Sequence, residues 1–567
     1  MHASSTLHRM AIAAAILVCL ERIAPAAEPP RSDAVVDLSL TVAGDLPCVW
    51  PAGMTPFAVV PTATFGRTGR HRDMLVIDEH TGTQWDAPAH FVPPPDSGLE
   101  GAGPMGAVTG EKVPAWQFCG EACVIDLSPQ RDAAAAGESF LIGPEHVREW
   151  ELAHRPLGPG DVVCFRTGYT DAYYRPFPAG DRFVSEALRK KAPGWAAPKP
   201  ETMTYLADRG VTTLASDGAS MGPLPNLAVA THQAGGRRGM VWVECATNLG
   251  SLPATGSFVA ILAAKHAGGS GGECRMVAVT DPTLAAALIA RARAHAVVDL
   301  SVTLDENLPA ASPGRGVGNH RQPYQTLRFG MNPNIKVPFM YHLLDSHTGT
   351  HLVPPSYALP KPGFDPANHD PQTRTWLAEY EQQFGPRGFS TVTTEQVPLS
   401  QTCGTDRVVD VRGLRGHSQP TDWPSSPRIT RQFLEAEEQR HGAFHAGEIV
   451  VFRANWSDEF YKPLPAGSRC FADPLDGKCE GWPALTAEGV LFLAERGIRC
   501  VGTDAPTLGG VDDREALFTY WALGTKGLVG IEYLTNLGDL KDGAYFLFAP
   551  VRIRDCHGGP GRAVAFD

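Results

Sequence analysis

The chain has 567 residues, which is long for a single hydrophobic core and predicts at least two domains. Hydrophobic residues make up 43% of it and charged residues 19%, proportions typical of a globular protein and not of a disordered one. The formal net charge of −12 leaves no basic surface, so we expect neither nucleic acid nor an anionic membrane as a partner.

The N-terminus has the pattern of a secretory signal. Arg9 precedes an apolar run at residues 10–20, and small residues follow at 24–27. The run is too short to cross a bilayer as a helix, which takes about 20 residues, but it fits the core of a signal peptide. A buried N-terminal helix is the alternative, and the polar, Pro-rich stretch directly after the run argues against it. We therefore expect residues 1–27 to be removed and the mature protein to be exported, to the periplasm or the medium.

Segments of the first half of the chain recur in the second half in the same order. The clearest pairs are AVVDLSLT at residues 34–41 with AVVDLSVT at 296–303, LADRG at 206–210 with LAERG at 493–497, and ECATNL at 244–249 with EYLTNL at 532–537. Such ordered self-similarity indicates a tandem duplication. We place one copy at residues 34–290 and the second at residues 296–567.

Strand and helix patterns alternate along each copy. In the first copy, short β-branched runs predict buried strands, and longer mixed stretches predict helices. The predicted strands are residues 35–36, 123–127, 162–165 and 241–243, and the predicted helices are residues 143–152, 201–209 and 283–294. This alternation predicts an α/β fold whose Gly- and Pro-rich loops carry the polar clusters.

Cysteines suggest local cross-links. The chain has twelve, one of them within the N-terminal segment. Cys119 with Cys123, and Cys470 with Cys479, are close enough in sequence to form disulfides in an oxidising compartment. A Cys-x3-Cys pair is also compatible with metal binding, but no second Cys or His pair lies nearby to complete a zinc site.

The residues that point to chemistry lie in one loop, DEHTGTQWDAPAHF at residues 78–91. His80, Asp86 and His90 fall within eleven positions of one another, around a glycine and a proline that shape the chain. Imidazole and carboxylate suit zinc or manganese, so the loop predicts a metal site with His80 and Asp86 as ligands. His90 is placed to act as a base beside the ion. The alternative interpretation is a surface turn with solvated histidines.

This loop resembles the signature of the cyclase family, which includes bacterial kynurenine formamidases and isatin hydrolases. The family pattern is His-x-Gly-Thr-His-x-Asp-x-Pro-x-His, and residues 80–90 read HTGTQWDAPAH. Gln84 stands where the family has a second metal-binding His. The family's distal pattern, a His followed twelve residues later by Glu-x3-Asn-Leu, is matched by His232 and Glu244. The Asp-x2-Ser block expected before it is matched at residues 217–220.

The resemblance implies a metal-dependent hydrolase made of two swivelling β/β/α-like domains, paired as an intramolecular pseudo-dimer that is free to associate further. Its substrate would be a small molecule with an amide, formamide or lactam C–N bond, attacked by metal-activated water. It implies that a divalent metal, zinc or manganese, is bound by His80, Gln84, Asp86, His232 and Glu244, with His90 as the catalytic base. Trp85 and Phe91 are candidates for stacking on an aryl substrate, and core packing beside the loop is the equally favoured alternative.

The second copy has lost much of this pattern. The losses are Val353 in place of Asp86, Tyr357 in place of His90, and Tyr520 near the position of His232, whereas His347, His351 and Glu532 are retained. Because a valine cannot bind a cation, we expect the second copy to be catalytically inactive. The alternative is that His347, His351 and Glu532 still hold a metal weakly. In a family of dimers, such a copy would replace the partner subunit and lend side chains to the first site.

Two other functions fit the same sequence less well. An exported binding protein for a metal or a small aromatic acid would explain the duplication and the degenerate copy, but it has no need of a base such as His90. A scaffold in a surface assembly would need neither metal nor base. A serine hydrolase is disfavoured because the Gly-x-Ser-x-Gly sequence at residues 218–222 comes with no His and Asp placed to complete a triad with Ser220.

Overall fold

The computed structural model describes residues 34–51, 56–63, 65–312, 324–331 and 338–567. The signal peptide predicted at residues 1–27 lies outside the described residues. Within them, no helix is both long enough and apolar enough to cross a bilayer.

The two copies contain the same kinds of elements in the same order. The strands of the first copy are β1 Val35–Asp37, β2 Ala58–Ala63, β3 Arg72–Asp78, β4 Gln84–Asp86, β5 Cys119–Asp126, β6 Leu141–Ile142, β7 Asp161–Arg166, β8 Ala197–Pro198, β9 Thr213–Ser216, β10 Val241–Glu244, β11 Ser257–Ala263 and β12 Gly271–Val279. Those of the second copy are β13 Val297–Asp299, β14 Gln325–Met331, β15 Pro338–Asp345, β16 His351–Val353, β17 Cys403–Asp410, β18 Arg428–Ile429, β19 Ile449–Arg453, β20 Ala484–Leu485, β21 Cys500–Thr503, β22 Val529–Glu532, β23 Tyr545–Pro550 and β24 Gly559–Phe566.

Helices cover the outside of each sheet. In the first copy they are Phe65–Thr68, Pro144–Ala153, Tyr169–Tyr173, Ser185–Leu188, Pro200–Ala207, Ala228–Gly236 and Pro282–Arg293. In the second copy they are Pro371–Phe384, Arg431–His441, Trp456–Phe460, Ala472–Leu475, Ala487–Glu495 and Asp513–Thr525.

Each copy is built on a closed, barrel-like sheet. In the first copy the order is β12-β11-β5-β7-β9-β10-β4, and β4 pairs back to β12. In the second copy the order β24-β23-β17-β19-β21-β22-β16 closes in the same way, between β16 and β24. Strands β5, β7, β9 and β10 run parallel to one another, and the helices follow them along the chain. The predicted α/β class and the predicted duplication are therefore confirmed.

The copies share a hydrophobic core on one side of the barrels. β11 is apolar at nearly every position because both of its faces are buried. Val259 and Ile261 point into the first barrel, whereas Phe258 packs against the second copy with Leu547 and Phe566. The ring centroids of Phe258 and Phe566 lie 5.2 Å apart. This contact pairs the two copies within one chain.

A second contact between the copies is a sheet in the order β14-β15-β3-β2. β15 of the second copy pairs antiparallel with β3 of the first, with Tyr341 opposite Asp78 and Asp345 opposite Met74. β3 ends at Asp78, where the predicted metal loop begins. The second copy thus forms the support on which that loop starts.

The predicted helices and strands are present. β5 starts earlier than predicted, at Cys119, because residues 119–122 pair with β11, and it ends one residue earlier, at Asp126. The predicted local disulfides are wrong. Cys119 and Cys123 lie on one extended strand, so their Cα atoms are about 13 Å apart, whereas a disulfide needs about 5.5 Å. Cys470 and Cys479 are also free thiols.

Candidate metal centre

The proximal ligands lie on a tight loop that follows β3. The Asp78 carboxylate accepts a hydrogen bond from the His80 amide at 2.8 Å and turns the chain. Gly82 has a φ of +67°, and a Cβ there would lie 2.7 Å from Val42, so the turn needs glycine. The chain then enters β4, which carries Asp86 into the barrel end.

Two histidines reach Asp86 from a turn and from a helix. A 3-10 turn formed by Pro88–His90 carries His90 back beside Asp86. The helix Ala228–Gly236 carries His232, whose Nδ1 is 2.7 Å from the carbonyl oxygen of Ala228. This contact leaves His232 Nε2 for a ligand, as is usual when a histidine binds metal.

Strand pairing brings the last two predicted ligands together. β10 runs antiparallel to β4, and the register places Glu244 directly opposite Gln84. Gln84 Nε2 donates to Glu244 Oε2 at 2.6 Å, and the other oxygen, Oε1, accepts from the Met221 amide at 2.6 Å and from Ser220 Oγ at 3.2 Å. The serine of the Asp-x2-Ser block therefore fixes the Glu244 carboxylate.

The nitrogen and oxygen atoms that could bind a metal ion lie close together on three histidines, one aspartate and one glutamate. Asp86 Oδ1 lies 3.4 Å from His80 Nε2, and Asp86 Oδ2 lies 3.5 Å from His232 Nε2 and 3.8 Å from His90 Nε2. Glu244 Oε1 lies 3.4 Å from His232 Nε2. Among the described residues, two overlapping triplets could hold a metal ion, namely His80, Asp86 and His90, and Asp86, His232 and Glu244.

Several of these atoms are buried without a hydrogen-bond partner. They are His80 Nε2, Gln84 Oε1 and Asp86 Oδ1. Leaving polar atoms buried and unpaired is costly, and a cation bound between His80 Nε2 and Asp86 Oδ1, which lie 3.4 Å apart, would satisfy both. Imidazole nitrogen and carboxylate oxygen are ligands of zinc and manganese. The residues present therefore fit a divalent metal ion.

Burial and the neighbouring charges shift the pKa of each titratable group in the site. Burial alone would lower the pKa of each imidazole, but the neighbouring carboxylates raise the pKa of His80 well above its usual range and that of His232 to about 9. Burial raises the pKa of Glu244, and the charge of Asp86 adds to this. The pKa of Asp86 is lowered in spite of burial because three histidines surround it. For His90, burial prevails and lowers the pKa to about 3, so this imidazole is neutral.

Asp217, expected from the family pattern, is not among the converging ligands. Its carboxylate accepts hydrogen bonds from Thr167 N and Oγ1 and from Gly168 N, at 2.7, 2.5 and 2.5 Å. These bonds tie the end of β7 to the segment after β9. Burial raises the pKa of Asp217 to about 6.

Trp242 touches the site and was missed by sequence reasoning. Its Nε1 donates to Asp86 Oδ2 at 2.9 Å, which orients the carboxylate. The signal was present, because Trp242 and Glu244 are two apart on β10 and so share a face.

An elongated cavity of about 340 Å³ opens beside the ligands. Phe91 lines it and lies against His232, with ring centroids 4.0 Å apart, as expected for a wall residue. Trp85 does not line it: this side chain is 1% exposed and packs at 4.8 Å against Phe118 in the barrel core, so its predicted stacking role is wrong. Other apolar walls, which sequence reasoning missed, are Leu40, Trp50, Tyr174, Phe183 and Trp195.

The equivalent place in the second copy lacks the carboxylate that Asp86 supplies in the first. The β16–β22 register puts Val353 opposite Gly530, where the first copy has Asp86 opposite Trp242. Tyr520 takes the place of His232 and donates to Glu532 Oε1 at 2.5 Å. Glu532 Oε2 also lies 3.0 Å from His351 Nε2, and the described part of the second copy contains no group of three His, Cys, Asp or Glu side chains close enough to hold a metal ion.

The second copy keeps a cavity of about 300 Å³, and the first copy helps to line it with Arg70 and Arg72. The described residues that line the first cavity, in contrast, all come from the first copy. We expected the second copy to contribute side chains to the first site, but among the described residues the first copy contributes side chains to the second cavity. Support from the second copy reaches the first site one layer further out, where His342 Nε2 lies 3.4 Å from Glu79 Oε1.

Comparison with known proteins places this fold and site in one family. The family described as "Putative cyclase" matches residues 36–223 and 298–509, one segment in each copy. The chain is a member of the cyclase family, and it carries the family's domain twice.

Named relatives of the chain are hydrolases. The kynurenine formamidase of Paracidovorax citrulli is 32% identical over 209 residues, which are 37% of this chain and 79% of that protein. The isatin hydrolase of Roseibium aggregatum is 25% identical over 216 residues, 36% of this chain and 73% of that protein. Among solved structures, isatin hydrolase A from Ralstonia solanacearum matches 49% of this chain and 98% of its own, with 23% identity and a TM-score of 0.36.

Proposed function

We propose that this protein is a metal-dependent hydrolase whose active site lies in the first copy, and that it cleaves the C–N bond of an amide, formamide or lactam. The proposal rests above all on the unpaired, buried atoms His80 Nε2 and Asp86 Oδ1, which lie 3.4 Å apart beside a cavity that His80, Gln84 and His90 line. Hydrolase activity in the named relatives supports the same class of reaction.

The ligands would be His80, Asp86, His232 and Glu244, with Gln84 Oε1 as a weaker fifth donor. A divalent ion held there, zinc or manganese, would polarise the substrate carbonyl and bring the pKa of a water molecule towards neutrality. Gln84 is neutral and a poorer ligand than the usual histidine, which favours a single ion over a pair.

Side chains of the first copy would bind the substrate and transfer the proton. The apolar walls formed by Trp50, Phe91 and Trp195 would hold an aryl or alkyl group of the substrate away from water. His90 Nε2 would take a proton from the attacking water and deliver it to the leaving nitrogen. An open-chain amide would give a carboxylate and an amine, and a lactam would give one ring-opened amino acid.

Export remains part of the proposal. Residues 1–27 would direct the chain out of the cytoplasm, and the mature enzyme would act in the periplasm or the medium. The eleven described cysteines are free, and ten of them are buried, where an oxidising compartment would reach them slowly.

Hydrolysis of N-formyl aryl amines and of aryl lactams by the purified, metal-loaded protein tests the proposal. His90→Gln should abolish turnover while metal content and fold are kept, because the amide cannot act as a base. Tyr357→Gln is the matched control at the equivalent position of the second copy and should leave turnover unchanged. If the metal-loaded protein binds these compounds but no variant or wild type releases product, the binding-protein alternative is the better account.

A further inference from the structure

A buried hydrogen-bonded chain connects the second copy to His90. His90 Nδ1 lies 3.2 Å from Ser270 Oγ. Ser270 donates to Glu79 Oε2 twice, from its amide at 3.0 Å and from its hydroxyl at 3.1 Å. On the other side of the carboxylate, His342 Nε2 lies 3.4 Å from Glu79 Oε1. These three linking residues are at most 4% exposed.

The chain continues behind His342. Tyr324 OH lies 3.1 Å from His342 Nδ1, and His266 Nδ1 lies 3.3 Å from the same hydroxyl. His266 Nε2 in turn lies 3.1 Å from Glu273 Oε1. The rings of His266 and His342 stack with centroids 3.8 Å apart, so His342 is held on its face as well as at both nitrogens.

One set of hydrogen-bond directions satisfies every member when His266 carries a proton on both ring nitrogens and donates to Tyr324 and to Glu273. Tyr324 donates to His342 Nδ1, so His342 carries its proton on Nε2 and donates it to Glu79. Ser270 donates its hydroxyl proton to Glu79, so the hydroxyl oxygen can only accept a hydrogen bond from His90. His90 must then carry its proton on Nδ1. Its lone pair is left on Nε2, the nitrogen that faces Asp86 and the cavity.

The network is specific to the working site. The motif DEHTGT at residues 78–83 aligns with DSHTGT at 345–350, so Ser346 is the counterpart of Glu79. The same alignment makes Leu75 the counterpart of His342. In a symmetric pair of copies, residue 75 would be a histidine and residue 346 a glutamate, and they would form the same contact. Because Leu75 and Ser346 stand there, the histidine–glutamate pair exists only beside the first site.

We propose that His342 of the second copy is a positioning residue for the first site, which acts through Glu79 and Ser270 to hold His90 with its basic Nε2 towards the cavity. This inference rests on the proposed function, since His90 is the base of that reaction. It gives the catalytically silent copy a role in catalysis. It also explains why Glu79 is fully buried as a charged group only one residue from a metal ligand.

The test compares His342→Leu with His342→Gln in the full-length, metal-loaded protein. Leucine occupies the counterpart position at Leu75, so the fold accommodates it, but it cannot donate to Glu79. Glutamine can donate to Glu79 and accept from Tyr324. We expect the leucine variant to lose about 10- to 100-fold in kcat with KM and metal content unchanged, and the glutamine variant to recover most of it.

Two further variants separate positioning from packing. Ser270→Ala removes the direct partner of His90 and should lower kcat alike, and the double variant with His342→Leu should lose no more than the larger single loss. His557→Leu is the control. It removes another contact between the copies, the 3.0 Å contact from His557 Nδ1 to Asp73 Oδ2, which does not lead to His90, so kcat should be unchanged. Equal losses in His342→Leu and His342→Gln, or a normal kcat in His342→Leu, would overturn the inference.

A readout without turnover distinguishes this inference from the proposed function. The 15N shifts of the His90 ring, assigned by comparison with His90→Gln, report which nitrogen carries the proton. We expect the Nδ1–H form in the wild type and a mixture of both forms in His342→Leu. No turnover with the shifts changing as expected would refute the hydrolase but keep the positioning role, whereas turnover with identical shifts in both proteins would refute the positioning role alone.

Discussion

Trp242 Nε1 donates a 2.9 Å hydrogen bond to Asp86 Oδ2, and the second copy has lost both partners together, with Gly530 and Val353 in their places. The bond is buried and fixes the one carboxylate that touches three histidines. Its loss alongside the ligand indicates that Trp242 serves the metal site and not the barrel alone.

Trp242→Phe should weaken metal binding while leaving the fold intact. The ring volume is nearly kept, but Asp86 loses the donor that orients it, and such losses reduce affinity about 10- to 100-fold. Competition with a chromogenic chelator measures the change. Trp482→Phe, which removes an equally buried indole donor to Thr507 in the second copy, is the control and should leave affinity unaltered. Equal affinities for the wild type and Trp242→Phe would count against the orienting role.

Gln84→His should strengthen metal binding. The fold already accepts a histidine at the equivalent position of the second copy, where His351 lies opposite Glu532. An imidazole nitrogen is a better ligand than the amide oxygen of Gln84, so we expect affinity to rise by about tenfold or a second ion to be taken up. Metal titration of both proteins measures affinity and stoichiometry. Weaker binding in the variant would mean that Gln84 is kept for its hydrogen bond to Glu244.

Asp406→Asn should stabilise the protein at alkaline pH and not at acid pH. Burial raises the pKa of Asp406 to about 8 in the folded protein. The folded state therefore holds a proton that the unfolded chain has released, and this residue lowers the free energy of unfolding as pH rises from about 4 to about 8. The neutral amide removes the effect, which a pKa of about 8 against about 3.9 in the unfolded chain puts at about 5 kcal/mol at pH 8.

Urea unfolding of the wild type and Asp406→Asn at pH 4.5 and pH 8 measures this difference. Asp410→Asn is the control, because Asp410 is paired with Arg412 and Arg453 at the surface and its pKa is lowered by the hydrogen bond from Arg412. That variant should be neutral or destabilising at pH 8. A gain for Asp406→Asn that is the same at both pH values would contradict the buried-charge explanation.

The cysteines should all be thiols. Burial raises the pKa of Cys119 and Cys123 and of most of the others, so they should react slowly with a thiol reagent in the folded protein. Denaturation without reductant should release the eleven thiols of the described chain at once. A shortfall of two in the denatured protein would show a disulfide and restore the prediction from sequence spacing.

Sequence reasoning succeeded where a short segment determines its own structure. The loop from Asp78 to His90 folds by a local turn at Gly82, so spacing could predict that His80 and His90 lie close to Asp86. That these side chains bind a metal ion stays a prediction. For Trp85, the alternation on β4 decides between stacking and core packing: Gln84 and Asp86 face the site, so the residue between them faces the barrel core. The Cys119 and Cys123 pair failed because both lie along one strand.

Other features depend on pairing between distant segments. His342 meets Glu79 only because β15 pairs with β3, and the two residues are 263 positions apart in the chain. Nothing in the local sequence of residues 338–345 indicates that one of its side chains supports a site in the other copy. The Tyr520 to Glu532 hydrogen bond likewise depends on a helix packing over a strand. Long-range contacts of this kind are set by the assembled barrel and not by residue patterns.

The central claim is that the first copy alone holds a metal ion and does the chemistry. The most direct test is the metal content of the purified protein in the wild type, in Asp86→Asn and in Val353→Asn, the equivalent change in the second copy. The account predicts about one equivalent of zinc or manganese in the wild type and in Val353→Asn, and almost none in Asp86→Asn. Metal retained in Asp86→Asn, or absent from a wild type reconstituted with either ion, would contradict it.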